Sequence, residues 1–263
     1  MSASPAEATV RYEQRGNVVW LTIDRPESRN AIDPATISLL RYGLSRAQAE
    51  NDVRAIVLTG SGDRAFCAGA DLKPASGSFE PDYSQTSNEF AELLREGVSC
   101  TLPLVARVNG HCLAGGMGLL AMCDMAVAVE SALFGLPEVK VGLFPMQVLA
   151  VLRGLIPERL LAELCLTGEP LTATEALSAG LVNHVTGPNQ LDEKVAWLLA
   201  RLVDKSPTAQ RRGKYAMRVS ADMNFTQALA FLEGQIATLA MTEDAREGRA
   251  AFTERRIPNW TNK

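Results

Sequence analysis

Three segments of the 263-residue chain concentrate residue types that could do chemistry. Residues 64–71 (RAFCAGAD) and 108–118 (VNGHCLAGGMG) are rich in Gly and Ala, and each follows an apolar run typical of a buried strand. The second segment leads into a helix, so its free main-chain N–H groups could stabilise an anion. Residues 134–145 (FGLPEVKVGLFP) carry one carboxylate, Glu138, in apolar surroundings. Such surroundings raise a carboxyl pKa and suit the group to general base catalysis.

The elements that must position these segments alternate between strands and helices. Apolar runs predict strands, and amphipathic patterns predict helices, in repeated strand–loop–helix units, which favours an α/β fold with mainly parallel strands. The predicted strands are residues 10–15, 18–23, 54–59, 104–108 and 125–129, and the predicted helices are residues 34–50, 85–98 and 116–122. Residues 73–83 contain Pro, Ser and Gly without periodicity, which predicts a mobile excursion.

The last third of the chain has a different character. Four amphipathic stretches predict helices at residues 191–203, 207–220, 226–241 and 243–255. We therefore divide the chain into a core that carries the site (residues 1–190) and a C-terminal helical region (residues 191–263).

Composition narrows the classes of function. The net charge of −4, with 26 basic and 30 acidic residues, argues against nucleic acid as the principal partner. No stretch is long and apolar enough to cross a membrane, and the first residues lack an apolar signal core, so we expect a cytoplasmic protein. Five cysteines form no CxxC pair and two histidines lie far apart, so no metal site is predicted.

The three segments resemble the enoyl-CoA hydratase/isomerase (crotonase) superfamily. The resemblance extends to residues 24–31 (DRPESRNA), 171–185 (LTATEALSAGLVNHV) and 252–258 (FTERRIP), in the right order along nearly the whole chain. It implies a spiral of ββα units with a C-terminal helical trimerisation region, assembled as a homotrimer or hexamer. It also implies a coenzyme A thioester as substrate, with no further cofactor, and a role in fatty acid metabolism.

The resemblance also assigns roles to individual residues. Two backbone N–H groups, at Ala68 and Gly115, would stabilise the enolate of the thioester, and Glu138 matches one of the two glutamates of the family's hydratases. A fixed donor of this kind is worth about 2.7–4 kcal/mol of the barrier. The residues placed near the coenzyme are Arg29, Ala31, Ala68, Ala70 and Leu72, with Arg255 or Arg256 reaching its phosphates.

One departure from the family pattern bears on the reaction. Gly118 stands where hydratases carry their second glutamate, and residues 146–148 (MQV) replace a water-holding glycine-rich turn. One carboxylate suffices to move a proton between two carbons, so the chain looks like the family's Δ3,Δ2-enoyl-CoA isomerases. Two alternatives stay open: a 2-enoyl-CoA hydratase that takes its second acid from Glu89 or Glu92, and a weakly catalytic acyl-CoA-binding member.

A dinucleotide site is a further alternative. Residues 116–121 (GMGLLA) fit the pattern GxGxxA, and Glu130 ends the next predicted strand. In a dinucleotide-binding fold the glycine loop follows its strand at once, whereas residues 109–115 intervene here. The spacing therefore argues against this site.

Overall fold

A computed structural model describes residues 9–73, 84 and 86–263. Its larger sheet has six strands in the order β1-β2-β3-β5-β7-β10. β1 and β2 form an antiparallel hairpin and every other pairing is parallel. The strands are β1 (Val10–Arg15), β2 (Val18–Ile23), β3 (Ala55–Gly60), β5 (Leu104–Val108), β7 (Met125–Val129) and β10 (His184–Thr186). All six residues of β3 are buried, as expected for a central parallel strand covered on both faces.

A second, smaller sheet was not predicted from the sequence. It has four strands in the order β4-β6-β8-β9. The first three pair in parallel, and β9 is antiparallel to β8. The strands are β4 (Ala65–Cys67), β6 (His111–Leu113), β8 (Leu133–Gly135) and β9 (Leu171–Thr172). Two or three residues are too few for a periodic pattern to form, so no sequence signal marks these strands.

The helices complete a repeating ββα unit. The helices before the C-terminal region are α1 (Pro34–Ala49), α2 (Glu89–Ser99), α3 (Gly115–Ala121), α4 (Met146–Leu152), α5 (Glu158–Thr167) and α6 (Ala173–Ser178). In the later units the first strand joins the six-stranded sheet and the second joins the small sheet, as in β5-β6-α3. The α/β prediction is therefore confirmed. The predicted start of α2 at residue 85 is wrong, because Asn88 caps a helix that begins at Glu89.

The C-terminal helices lie where the sequence predicts them. They are α7 (Leu191–Val203), α8 (Pro207–Ser220), α9 (Phe225–Ala240) and α10 (Glu243–Glu254). α9 has no buried residue, although Phe225 and Ile236 on it are large and apolar. None of the described helices combines the length and apolar character that a membrane crossing requires. The predicted mobile excursion falls almost wholly outside the described residues, and the domain boundary at residue 190 stays a prediction.

Candidate active site

The three chemistry-bearing segments leave the same edge of the small sheet. Residues 68–71 follow β4, Ala114 and Gly115 follow β6, and residues 136–138 follow β8. Because β4, β6 and β8 are parallel neighbours, their carboxyl ends meet at one edge. A hydrogen bond of 2.9 Å from Ala114 N to the Gly135 carbonyl ties the second segment to the third. The short strands that the sequence did not reveal are thus what assembles the site.

The N–H group of Ala68, predicted as the first backbone donor, is engaged within the chain. Ala68 N already donates to the Arg29 carbonyl over 3.1 Å, so it is not available to a ligand. Ala70 N, two residues further on, donates to no group among the described residues, and the same holds for Gly115 N at the start of α3. A Cβ on Gly115 would lie 3.6 Å from Gly69 Cα, so the two free donors belong to adjoining turns. Among the described residues of this loop, the free N–H group is therefore that of Ala70 and not that of Ala68.

The loop that carries Ala70 is held by the turn before α1. Ile32 N donates to the Gly69 carbonyl and Asp71 N donates to the Ile32 carbonyl, both over 2.8 Å. These two bonds bracket Ala70 in a parallel bridge with Ile32, which leaves the Ala70 N–H pointing away from the bridge partner. Gly69 has φ +98°, a conformation that L side chains rarely adopt.

An arginine in the same turn reinforces the loop. The Arg25 guanidinium donates to Asp71 Oδ2 over 2.8 Å and to the Ala31 carbonyl over 2.6 Å. The side chains of Arg25 and Asp71 are only 14% and 6% exposed, so water screens this ion pair weakly. The sequence motif contained Arg25, but nothing in the sequence indicated that its partner lies 46 residues away.

Glu138 lies in a 3-10 helix, Pro137–Val141, directly after β8. The residue is half-buried, and its Oε2 atom is buried without a hydrogen-bond partner among the described residues. Burial raises the pKa of the Glu138 carboxyl, because desolvation disfavours the charged form. A carboxylate with an unpaired oxygen is ready to accept a proton from a substrate.

The surroundings of Gly118 are apolar. A Cβ on Gly118 would meet Phe90 Cζ at 3.2 Å, Leu94 Cδ2 at 3.3 Å and Val148 Cγ2 at 3.3 Å. Contacts this short leave a larger side chain no room unless its neighbours move. A side chain at position 118 would therefore start against the apolar side chains of Phe90, Leu94 and Val148, and these would have to give way for it. The sequence analysis named none of these three side chains as a candidate site residue.

The two alternative acids on α2 are poorly suited to the role. Glu92 accepts a short hydrogen bond from Ser87 and pairs with Arg95 at 2.6 Å. The Ser87 hydrogen bond and the nearby arginines lower the pKa of the Glu92 carboxyl, which is the wrong direction for a general acid near neutral pH. Glu89 is exposed at the start of the helix.

The predicted coenzyme residues fall into two groups. Those near the loop lie close together along two adjoining turns: Arg29, Ala31, Ala70 and Leu72. Beside them a cleft of about 270 Å³ is lined by residues that include Arg29 and Arg64. Arg256 is different, because its guanidinium is held by Glu247 (2.5 and 2.9 Å) and Glu254 (2.6 Å). These contacts occupy the groups that would bind a phosphate.

Other chemistry finds little support in the described part of the chain. No group of three His, Cys, Asp or Glu side chains there could hold a metal ion. Cys67 lies beside the donor loop, but burial raises its pKa to about 12, so the thiol stays protonated. The dinucleotide alternative fails, because β6 lies between β5 and α3 and belongs to the other sheet.

Comparisons with known proteins agree over almost the whole chain. Residues 13–263 match the family described as enoyl-CoA hydratase/isomerase. The chain is 36% identical to enoyl-CoA hydratase EchA19 of Mycobacterium tuberculosis, over 95% of this chain and 96% of that one. It is 32% identical to (E)-benzylidenesuccinyl-CoA hydratase of Thauera aromatica (95% and 97%). Among solved structures, enoyl-CoA hydratase of Mycobacterium smegmatis superposes with a TM-score of 0.90 at 32% identity, covering 97% and 99% of the two chains.

Proposed function

The chain belongs to the enoyl-CoA hydratase/isomerase family and has its fold, and we propose that within this family it moves the double bond of an enoyl-CoA thioester. In this proposal the thioester is the substrate and no further cofactor takes part. Glu138 is the acid–base residue, and the N–H groups of Ala70 and Gly115 stabilise the developing enolate.

The reaction needs two proton transfers at one carboxylate. Glu138 removes a proton from C2 of a 3-enoyl-CoA, and the electron pair spreads over a dienolate whose charge rests on the thioester oxygen. Donors placed there act on the transition state more than on the ground state, which lowers the barrier. The protonated Glu138 then returns the proton to C4, and the double bond moves from C3–C4 to C2–C3. A raised pKa serves both steps.

The apolar wall at Gly118 is the observation that carries this choice of reaction. Adding water requires a group that holds the water, and an ordered water makes about three hydrogen bonds to polar partners. Phe90, Leu94 and Val148 offer none. Glu92 does not replace the missing glutamate, because its carboxylate is already paired with Ser87 and Arg95.

Hydration is the second candidate, and the relatives favour it. The proteins compared above are named as hydratases. A hydratase built on this chain would have to work with Glu138 alone, since Gly118 carries no carboxylate and its nearest side chains are apolar. The weakly catalytic alternative is less well supported, because a buried, unpaired carboxylate oxygen costs stability and serves no structural contact.

The substrate's coenzyme moiety would lie along the turns that hold Ala70. The cleft is lined by Arg29 and Arg64, whose guanidinium groups suit phosphates, together with Glu27 and Asp63. Arg256 is not part of this proposal, because its own chain already neutralises it.

Assembly into a homotrimer or a hexamer also belongs to the proposal. Large apolar side chains are exposed on the last two helices, among them Phe225 (80%), Ile236 (61%) and Phe252 (88%). An open groove of about 580 Å³ lies beside them. Exposed apolar surface on this scale is typical of subunit interfaces. Light scattering of the purified protein would measure the number of subunits.

A substrate panel tests the reaction. The protein is incubated with a 3-enoyl-CoA and, separately, with a 2-enoyl-CoA, and conjugated and hydrated products are quantified. We expect conjugation to be the faster reaction. Glu138→Gln should lower its rate by about 10²- to 10⁴-fold, the usual worth of an acid–base group. Glu92→Gln is the matched control and should stay close to the parent rate.

Two results would contradict the proposal. Faster hydration than conjugation would favour the second candidate. An unchanged conjugation rate in Glu138→Gln would remove the residue from the mechanism.

A further inference from the structure

Phe90 contacts the first turn of α3 at two positions that bear on the reaction. Its Cζ atom would lie 3.5 Å from a Cβ on Gly115 and 3.2 Å from a Cβ on Gly118. Residues three apart on a helix share a face, so one ring edge covers both positions. The ring therefore spans from the backbone donor to the place where the resemblance puts a second glutamate.

The neighbours of the ring are hydrocarbon as well. Ile32 Cδ1 would lie 3.5 Å from a Cβ on Gly115, and Leu94 and Val148 flank Gly118. None of these side chains carries a polar atom. A water molecule at this face of α3 would find no side-chain partner among them, and water is not retained at such a site.

The backbone around Phe90 is anchored. Asn88 caps α2 by accepting a hydrogen bond from Ala91 N over 2.9 Å, and Leu93 and Leu94 on the next turn are buried. Phe90 itself is half-buried and packs against the core cluster. The helix therefore presents the ring to α3 in a defined position, and a change of the side chain can be made without removing the cap or the buried contacts.

From this arrangement, and resting on the isomerisation proposed above, we infer that Phe90 is a specificity-determining residue. Its ring covers Gly115 and Gly118 and excludes water from the dienolate held by the N–H groups of Ala70 and Gly115, so that the proton held by Glu138 returns to the acyl chain. The ligand class that fits is an unsaturated acyl thioester whose chain is apolar near the reacting carbons, because a polar group there would meet only hydrocarbon.

Phe90→Leu tests the inference with little disturbance of the fold. Leucine keeps an apolar branched side chain but lacks the Cζ atom that reaches Gly115 and Gly118. The protein reacts with a 3-enoyl-CoA in D₂O, and mass spectrometry gives the ratio of hydrated to isomerised product and the deuterium incorporated into the isomerised product. We expect the ratio to rise by about tenfold. We also expect more deuterium per turnover, because solvent can then exchange with the proton on Glu138.

Two further variants complete the design. Phe90→Ala should raise the product ratio and the deuterium content more than Phe90→Leu does. Leu93→Val is the matched control, because it removes one buried methylene from the same helix. We expect it to give the same product ratio and the same deuterium content as the parent protein. A purely structural role of Phe90 would lower the rate of both reactions together and would leave the ratio and the isotope content unchanged.

The outcomes separate this inference from the function on which it rests. If the parent protein isomerises the substrate and Phe90→Leu keeps the product ratio and deuterium content of the parent, the inference about Phe90 is wrong and the proposed function stands. If the parent protein forms no isomerised product, both are wrong. If Phe90→Ala does not fold, Phe90→Leu alone decides.

Discussion

The loop that carries Ala70 and the short helix that carries Glu138 are held in opposite ways. Two backbone hydrogen bonds of 2.8 Å to Ile32 bracket Ala70, and the partly buried Arg25 pairs with the buried Asp71 directly after it. Glu138, by contrast, has a buried carboxylate oxygen with no hydrogen-bond partner in the described part of the molecule. Both regions leave the same edge of the small sheet, so the difference lies in their immediate partners.

The difference matches what each region would do in the proposed reaction. A donor to developing charge is effective when it is already in place, since no free energy is then spent on reorganisation during the reaction. A base that takes up a proton and gives it back must not be neutralised by a permanent partner. We therefore expect changes in the loop to act through geometry, and changes at Glu138 to act through protonation and desolvation.

Gly69→Ala should have the largest effect on the loop side. A Cβ on Gly69 would come within 2.5 Å of Ala114 Cβ, and the φ of +98° is unfavourable for alanine. The loop would have to move, and Ala70 N with it. We expect kcat for isomerisation to fall by about 10²- to 10³-fold, as when an oxyanion donor is removed. Steady-state kinetics with a 3-enoyl-CoA would measure it.

Gly180→Ala provides the matched control for that experiment. Gly180 also has a positive φ, +79°, but a Cβ there would meet no atom within 4 Å. It should therefore show the conformational cost of alanine without the displacement of the loop, and keep the parent kcat. Equal losses of kcat in the two variants would show that the effect comes from general destabilisation.

Arg25→Gln should have a smaller effect on the same side. The two backbone bonds to Ile32 would remain, but the buried ion pair with Asp71 and the bond to the Ala31 carbonyl would be lost. We expect kcat to fall by about tenfold with a smaller change in KM, because a displaced donor weakens transition-state binding most.

Restoring charge balance separates positioning from stability. Arg25→Gln removes the guanidinium that pairs with the buried Asp71 carboxylate, which is destabilising, and adding Asp71→Asn should recover much of the melting temperature. It should not recover kcat. Arg25→Lys should recover kcat only in part, because one ammonium group does not reproduce the fork that reaches both Asp71 and Ala31. Full recovery of kcat with the melting temperature would refute a positioning role.

The sequence predicted the larger sheet and the three segments that meet at the edge of the small sheet, and the reasons are physical. Long apolar runs such as β3 leave a clear pattern, and the glycine-rich segments mark places where the backbone is approached closely. The strands β4, β6 and β8 have only three residues each, which is too short for such a pattern. Without their register the sequence could not show which alanine of the loop has a free N–H, and it gave Ala68 instead of Ala70.

Contacts between separate elements or turns of the chain also lay beyond the sequence. Phe90 reaches Gly118 from another helix, and Arg256 meets Glu247 nine residues earlier on the surface. An arginine near the C-terminus looks like a phosphate ligand in the sequence, and only the structure shows its carboxylate partners. The hydrogen bonds that Glu247 accepts from Arg256 and from the backbone N–H of Asn259 lower the pKa of its carboxyl to about 2, which fits a guanidinium that is already neutralised.

The pH dependence of isomerisation tests the role of Glu138 as the base. Burial raises the pKa of Glu138 above the ordinary value of 4.5, and only the carboxylate accepts the substrate proton. We therefore expect kcat/KM to fall as the pH is lowered through this raised pKa, with the midpoint of the fall above pH 4.5. Gly69→Ala should lower the whole profile and leave the midpoint in place. A midpoint at or below 4.5 would show that Glu138 is not the titrating base.

The smallest effect we expect is a gain in stability when Glu138 becomes Gln. Because the pKa of Glu138 is raised in the folded state, the carboxyl favours folding below its unfolded pKa, and this contribution is lost as the pH rises through the folded pKa. At pH 7 the charged carboxylate is therefore a cost, which a neutral amide of the same shape avoids. Glu138 is only half-buried, so we expect the melting temperature to rise by about 1–2 °C.

The pH dependence of that gain distinguishes its cause. Scanning calorimetry should show the difference between Glu138→Gln and the parent protein shrinking from pH 7 toward pH 4, where the parent carboxyl is protonated as well. Gly69→Ala should lose both stability and activity, whereas Glu138→Gln should lose activity and gain stability. A base kept without a partner is the kind of residue at which function and stability oppose each other. If Glu138→Gln proved less stable than the parent at pH 7, the carboxylate would have a structural partner and the contrast between the two regions would be lost.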